Sequence, residues 1–298
     1  MLDAVASMPI GRWTGELLGL PSGLLGNPQH HAPILGNGYV GVALSSQRRG
    51  LFPANGSSVD LWINSNANWD CEASGAPKPP ARCTARVLGG LSISTPALAS
   101  ETSFETEQRI ENGTLWTRRT AYDGSVVLET ETFVDPEKNL VVTEVTMSRS
   151  GPESPAAPNE QLEMIMISTL FTYGHNRHVR TSTVSACTLE ERGVPACSRR
   201  FHPPNTTGFR APWTALALHA EGATPAHVAL ANVSITDTGP FGNISYAAST
   251  FMLGGRGSAA RRTLRLIVSL ADNILAADDE TANGSYGTHA PTLPRAHH

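Results

Sequence analysis

Apolar and polar residues alternate with a period of two along much of the chain. The clearest stretch covers residues 107–150, where one side of each segment is apolar or small: Val126, Leu128, Thr130, Thr132, Val141, Thr143, Val145 and Met147. Turn signals divide it at Asn112-Gly113, Asp123-Gly124 and Asp135-Pro136, because glycine permits a positive φ and proline fixes φ. The pattern predicts three strands of an antiparallel meander.

The same alternation predicts strands elsewhere. The candidates are residues 38–44, 58–63, 85–94, 161–173, 213–222, 227–236, 243–255 and 261–272, and residues 176–212 form a long excursion between two of them. A Pro-rich stretch, residues 151–160, predicts a linker between sheets. Because no convincing amphipathic helix precedes Asp272, we predict an all-β fold: a large two-sheet antiparallel super-sandwich with little helix.

The chain divides into three parts on this interpretation. Residues 1–33 form an irregular lead-in, residues 34–272 the β-sandwich domain, and residues 273–298 a polar tail or the start of a linker. The length of 298 residues suffices for a large core. The net charge of −4 comes without a basic cluster, which argues against a nucleic-acid face. No apolar run is long enough for a membrane span.

The segment "ILGNGYVGV" contains the spacing Gly36-x-Gly38-x-x-Gly41 of a dinucleotide-binding loop. Such a loop requires a buried strand before it and a helix opening on it. Here a Pro-rich loop precedes the glycines and a short strand follows. We therefore interpret Gly36, Gly38 and Gly41 as a structural turn between strands, and we predict no cofactor.

The four cysteines fall into two close pairs, Cys71/Cys83 and Cys187/Cys197. Neither pair has the spacing of a zinc knuckle. Each would close a small loop containing proline and glycine, so we predict two disulfides; the alternative is four buried free thiols. No metal site is predicted.

Six glycosylation sequons also favour an oxidising compartment. Their acceptors are Asn55, Asn112, Asn205, Asn232, Asn243 and Asn283. The excess over chance predicts a secreted or lumenal glycoprotein. The N-terminal residues lack the basic and apolar regions of a signal peptide, so we expect the true start to lie upstream.

Two carboxylates, Asp60 and Asp70, flank a polar loop and could act as a glycosidase pair. The alternative is that Asp60 caps a strand and Asp70 is solvated. Glu129 and Glu131 share a strand face, which is typical of a solvated surface. The pairs His30-His31 and His175-x-x-His178 lack partners at ligand spacing and are interpreted as surface histidines.

The segment Asn64–Trp69 is a candidate for sugar recognition. Its amides, on Asn64 and Asn66, can both donate to and accept from hydroxyls, and Trp69 offers a ring for stacking on a sugar. The alternative is turn chemistry beside one core tryptophan.

In order, the segments "PILGNGYVGVAL", "DLWINSNANW" and "LGGLSI" and the hairpin series after them resemble the N-terminal part of glycoside hydrolase family 95, the α-L-fucosidases. Family 65 has a similar Gly-Asn-Gly-Tyr-x-Gly segment. The likeness covers roughly residues 30–150. The Asn-rich segment here lacks the acidic residue of the family pattern, and the Cys-bridged loop is an addition.

The resemblance implies a sandwich that packs against an (α/α)6 barrel in the same chain, with catalysis in the barrel. It transfers no catalytic residue, and it singles out Asn37 with the glycine turn and, less directly, Asn64, Asn66 and Trp69. We therefore predict a non-catalytic sandwich domain of a secreted glycoside hydrolase with a carbohydrate partner. Two alternatives remain: a free-standing secreted carbohydrate-binding or structural protein, and a small enzyme using Asp60 and Asp70.

Overall fold

The computed structural model describes residues 12–14, 33–44, 58–65, 69–71, 83–85, 89–98, 103–149, 162–173, 182–190, 193–202, 213–234, 243–255 and 261–272. Within these ranges nearly all regular structure is extended, and one 3-10 turn covers Pro96–Leu98. The strands are β1 Arg12–Thr14, β2 Ile34–Gly36, β3 Val40–Leu44, β4 Ser58–Ser65, β5 Trp69–Cys71, β6 Cys83–Ala85, β7 Gly89–Ser94, β8 Ser103–Arg109, β9 Thr114–Thr120, β10 Val126–Val134, β11 Leu140–Arg149, β12 Leu162–Tyr173, β13 Ser182–Leu189, β14 Pro195–His202, β15 Trp213–Glu221, β16 His227–Ser234, β17 Asn243–Gly255 and β18 Arg261–Asp272.

The strands form two large antiparallel sheets. One sheet has nine strands in the order β1-β8-β9-β10-β11-β18-β15-β14-β13, and the other has seven in the order β16-β17-β12-β7-β4-β3-β2. Strands β5 and β6 pair as a separate ribbon. The predicted all-β two-sheet fold is therefore confirmed. The predicted linker 151–160 lies outside the described residues, but β11 before it and β12 after it belong to different sheets.

The meander predicted from the alternation lies in the nine-stranded sheet as β8–β11. It has four strands rather than three, because the segment Ser103–Arg109 also pairs with β9. Gly113 and Gly124 adopt positive φ at the first two turns. In the third turn the left-handed residue is Asn139, with φ of 52°, while the Asp135 side chain accepts the backbone N–H of Glu137 and Lys138 at 2.9 Å each.

Three segments contain more pairing than their sequences indicated. The long excursion includes the hairpin β13–β14, where Cys187 lies opposite Cys197. The N-terminal lead-in contributes β1, which pairs with β8. The polar loop after Asn64 contains the ribbon β5–β6. Mixed small and polar residues fill these strands, so their period of two is weak.

One cluster of buried apolar side chains contains residues of both sheets. The seven-stranded sheet contributes Leu61, Ile63, Leu91, Ile93, Met166 and Phe251 among others, and the nine-stranded sheet Leu115, Leu128, Val145, Met147, Leu264 and Leu266. The predicted alternating faces of β10, β11 and β18 supply much of it. Burial of this apolar surface is the main term that stabilises the fold.

The centre of the seven-stranded sheet is buried on both of its faces. Every described residue of β7 is buried, and so are all those of β4 except Asn64. Gly90 lies opposite both Trp62 and Phe171, whose rings meet edge-to-face at 5.4 Å between centroids. A Cβ at Gly90 would come within 2.1 Å of the Leu61 carbonyl oxygen, so only glycine fits between these strands.

Candidate functional site: the Gly-Asn-Gly corner

The segment that resembles the glycoside hydrolases forms a tight hairpin between β2 and β3. We call residues 36–41 the Gly-Asn-Gly corner. Gly36 lies opposite Gly41 in the ladder, and Gly38 adopts a φ of +92°, a conformation that residues with a Cβ rarely take. The strands around the corner are antiparallel and no helix begins here. The geometry of a dinucleotide-binding loop is therefore absent from the corner.

Asn37 holds the corner together through both ends of its side-chain amide. Its Oδ1 accepts the backbone N–H of Tyr39 at 2.9 Å and that of Val40 at 2.8 Å. Its Nδ2 donates to the Asp135 carbonyl oxygen at 2.9 Å and to Asn139 Oδ1 at 3.2 Å. The amide thus closes its own turn and ties it to the β10–β11 turn of the other sheet.

A buried carboxylate extends this tie to β18. The Tyr39 hydroxyl donates to Asp272 Oδ2 at 2.5 Å, and the Ser65 hydroxyl donates to the same atom at 3.2 Å. Asp272 is 1% exposed and is the last residue of β18. Hydroxyl donors to a buried carboxylate offset the cost of removing its charge from water. The corner is therefore hydrogen-bonded to the C-terminal end of β18.

The amide–indole segment is only partly described. Asn64 is half-buried, lies opposite Gly41 in the ladder, and accepts the backbone N–H of Ser65 through Oδ1 at 2.9 Å. Asn66 lies outside the described residues. Trp69 is described as backbone in β5, opposite Ala85. The grouping of these three side chains as a sugar-binding set therefore stays a prediction.

Asp60 occupies the middle of β4, where it is 2% exposed. Its Oδ1 accepts the Ser58 hydroxyl at 2.8 Å and the Ser92 hydroxyl at 2.6 Å. Burial lowers the pKa of Arg119 on β9 to about 10, and the negative charge of Asp60 partly offsets that fall. Asp60 thus belongs to a buried network of hydroxyls with a buried guanidinium nearby. Asp70 lies in β5 opposite Thr84.

The remaining titratable candidates lie on open surfaces or outside the described ranges. Glu129 and Glu131 pair with Arg118 at 3.9 Å and Arg109 at 3.5 Å on a partly exposed face. Both histidine pairs lie outside the described residues. Among the residues that are described, no group of three or more His, Cys, Asp or Glu could hold a metal ion, and no helix is long and apolar enough to cross a membrane.

The predicted modification and cross-link positions are distributed over the sandwich. Cys187 and Cys197 form a disulfide between β13 and β14. Cys71 lies opposite Cys83 in the β5–β6 ribbon, and their disulfide stays a prediction. Asn112 lies in the β8–β9 turn, Asn232 in β16 and Asn243 at the start of β17. Asn55, Asn205 and Asn283 lie outside the described residues.

Tyr39, Ser65 and Asp272 are the site residues that the sequence did not indicate. Tyr39 and Asp272 are 233 positions apart, and neither stands in a motif with the other. The one local signal is that Asp272 is a charged residue directly after the apolar alternation of β18 ends. That pattern is common at strand ends and carries no information about a partner.

No family model matches the chain, and no curated protein matches it by sequence. Among solved structures, the chain is similar to a protein described as a kojibiose phosphorylase from the human microbiome, with 9% identity and a TM-score of 0.49 over 84% of this chain and 32% of that one. It is also similar to a 4-alpha-glucanotransferase from Thermococcus litoralis, with 10% identity and a TM-score of 0.30 over 80% of this chain and 36% of that one. The chain spans about one third of the length of each.

Proposed function

We propose that this chain is the non-catalytic sandwich domain of a secreted glycoside hydrolase, with fucosides as the leading substrate class of the full enzyme. The observation that carries the proposal is the Gly-Asn-Gly corner. Its residues are the ones that the resemblance to family 95 singles out, and they occur here within a two-sheet antiparallel sandwich, the fold that the resemblance implies.

The buried carboxylates support a structural rather than a catalytic role. Hydrolysis of a glycoside needs two carboxyl groups that face the sugar from opposite sides, about 5 to 9.5 Å apart. Asp60 and Asp272 are both buried and both accept hydrogen bonds from neighbouring hydroxyls. Carboxylates that are closed off from solvent in this way do not face a bound sugar, so the proposal assigns catalysis to a further domain.

The link between Tyr39 and Asp272 supports a role in holding that further domain. A linker that starts after residue 272 and leads to a barrel would begin at the carboxylate that the corner contacts through Tyr39. The corner and the start of the linker would then move as one unit. A rigid attachment of this kind favours a fixed orientation between two domains.

The Cys187–Cys197 disulfide supports secretion, because disulfides persist in oxidising compartments and are rare in the cytosol. The six sequons point in the same direction. The proposal places the full enzyme outside the cell or in a lumen, where it would meet carbohydrate.

Two measurements test the proposal. Sequencing of the complete transcript is expected to reveal, after codon 298, a helical segment long enough for an (α/α)6 barrel. The purified chain alone is expected to leave aryl α-L-fucosides and aryl α-glucosides intact, whereas the longer product hydrolyses one of them. A transcript that stops after His298 would favour a free-standing carbohydrate-binding or structural protein. Hydrolysis by the isolated chain that Asp60→Asn removes would favour the small-enzyme alternative.

A further inference from the structure

The β8–β9 turn presents one sequon on an exposed tip. The Gly113 N–H donates to the Ile110 carbonyl oxygen at 3.3 Å, and Gly113 adopts a φ of +63°. Residues 110–113 are all exposed. A reverse turn followed by one left-handed glycine is a common hairpin connection. Asn112 therefore sits in a fixed, solvent-facing turn.

The hydroxyl of this sequon contacts its acceptor residue. The Thr114 hydroxyl donates to Asn112 Oδ1 at 2.8 Å. In the described part of the chain, the hydrogen bonds of this turn use Oδ1 and not the amide nitrogen of Asn112. The nitrogen is the atom that would carry a glycan, and the Thr114 hydroxyl contacts the other end of the amide.

The same turn begins with an exposed apolar residue. Ile110 is 58% exposed, and it precedes Asn112 by two positions across a turn that brings Ile110 within reach of Gly113. Sugars have an apolar face made of C–H groups, and covering an exposed isoleucine with that face removes apolar surface from water. Ile110 thus offers a platform for the first sugar of a glycan on Asn112.

We propose that Asn112 carries an N-linked glycan whose first sugar packs against Ile110. In the transfer, the Asn112 amide nitrogen bonds to the anomeric carbon of a lipid-pyrophosphate-linked oligosaccharide, loses one proton, and the lipid pyrophosphate leaves. The inference rests on the proposed secretion, since the donor and its transferase act in the secretory lumen. It goes beyond the sequon pattern, because it assigns the glycan a contact in the folded protein.

Two other sequons lie in a different setting and provide an internal comparison. Asn232 lies opposite Ser245, and Asn243 lies opposite Ser234, within the β16–β17 ladder. Ser245, the hydroxyl residue of the Asn243 sequon, is buried and contacts Ser185 of the other sheet at 2.8 Å. Thr114 is also buried, in β9, but Asn112 itself lies in a turn whereas Asn232 and Asn243 lie in paired strands, so we expect higher occupancy at Asn112 than at either of them.

The first experiment measures occupancy. The full chain is expressed behind a cleavable signal peptide in a eukaryotic secretory host, and peptides are analysed after enzymatic glycan release in isotope-labelled water. We expect labelled aspartate at position 112 in most molecules, loss of the glycan in Thr114→Ala, and its retention in Thr114→Ser. Thiol alkylation reports whether Cys187 and Cys197 formed their disulfide. A secreted, disulfide-bonded chain with unmodified Asn112 would overturn the inference and leave the secretion proposal standing.

The second experiment tests the contact with Ile110. Unfolding is measured for wild type and Ile110→Ser, each with the glycan and after its enzymatic removal. Loss of the sugar is expected to lower the folding equilibrium constant of wild type about fivefold, the effect of exposing a few tens of Å² of apolar surface at ~25 cal/mol/Å². The same treatment of Ile110→Ser is expected to change little. An equal decrease of the folding equilibrium constant in both proteins would overturn the proposed packing against Ile110. The first experiment tests occupancy independently of this result. Because Ile110 lies on an exposed turn, its substitution leaves the core intact.

Discussion

The two sheets of this sandwich treat their polar residues differently. In β10 and β11 of the nine-stranded sheet, buried and partly exposed residues alternate, so the charged side chains reach solvent. In β4 and β7 of the seven-stranded sheet, both faces are buried. Polar residues there are removed from water, and a buried polar group without a hydrogen bond is costly.

This difference distinguishes polar residues that contribute strongly to the stability of the fold from those that contribute little. Asp60 in β4 is surrounded by Ser58 and Ser92, whereas Glu144 in β11 pairs with Arg265 on an open face. Both are carboxylates within strands, and both accept hydrogen bonds from neighbouring side chains. Only the first is desolvated, and desolvation decides what its removal costs.

Asp60→Ala is expected to have the largest effect and tests whether removal of a buried carboxylate costs more stability than removal of an exposed one. It leaves two buried hydroxyls without their acceptor and the buried Arg119 without a compensating charge. We expect a loss of about 3–5 kcal/mol in the free energy of unfolding, the cost of breaking a buried charged network. Chemical denaturation measures it, with Glu131→Ala on the partly exposed face of β10 as the matched control. Equal losses in the two variants would contradict the account.

Removal of the corner amide is expected to have the next largest effect. Asn37→Ala deletes four hydrogen bonds, and at a net ~1 kcal/mol each, reduced by partial solvation, the loss is about 2–3 kcal/mol. Asn37→Asp keeps the oxygen that closes the turn but removes the donor to Asp135 and Asn139. Its loss should therefore be smaller than that of the alanine variant. An Asn37→Asp protein as unstable as Asn37→Ala would contradict this order and would show that loss of the donor, together with repulsion between the new carboxylate and the Asp135 and Asn139 oxygens, outweighs the turn bonds.

The Cys187–Cys197 disulfide joins two residues that lie opposite each other in the β13–β14 ladder. It should contribute about as much to the free energy of unfolding as the Asn37 side chain does. Its ends are ten positions apart, and closure of a loop of this size stabilises a protein by about 2–3 kcal/mol through the unfolded state. Replacing both cysteines by serine is expected to lower the free energy of unfolding by that amount. Reduction of the wild-type protein should lower it at least as much, because reduction also opens any disulfide between Cys71 and Cys83. An unchanged denaturation midpoint would refute this prediction.

The smallest effect is expected on the open face of the nine-stranded sheet. Arg265 pairs with Glu144 at 2.6 Å and Glu221 at 3.4 Å, and these contacts raise the pKa of the Arg265 guanidinium. Because all three side chains are well exposed, water and salt screen the attraction. Arg265→Ala should therefore change the free energy of unfolding by no more than ~0.5 kcal/mol. A larger loss that vanishes in high salt would show that the open face also holds the fold.

The same difference explains how much of the fold could be predicted from the sequence. Alternation in β10, β11 and β18 could be recognised because one face of each strand is apolar and the other polar. In β4 the residues between Val59, Leu61 and Ile63 are also buried, so burial does not alternate along this strand. The sequence therefore did not show that Asp60 is buried, and it could be interpreted as catalytic or as a strand cap. Its contact with Ser92, 32 positions away, depends on strand order, which the local pattern does not encode.

The candidate site was predictable only in its local part. The glycines and Asn37 form a turn through contacts between residues 36 and 40, and such contacts follow from residue type. The ties from Asn37 to Asn139 and from Tyr39 to Asp272 join positions 102 and 233 residues apart. They arise because the seven-stranded sheet brings the corner against the end of the nine-stranded one, and no sequence motif records that approach.

We propose that the buried carboxylates of this sandwich, Asp60 and Asp272, stabilise the fold and take no part in hydrolysis. The most direct test measures hydrolysis of aryl glycosides by the purified chain together with its stability, for wild type, Asp60→Asn and Asp272→Asn. We expect no turnover by any of the three and a lower free energy of unfolding for both variants. Turnover by the wild-type chain that disappears in a variant of unchanged stability would contradict it.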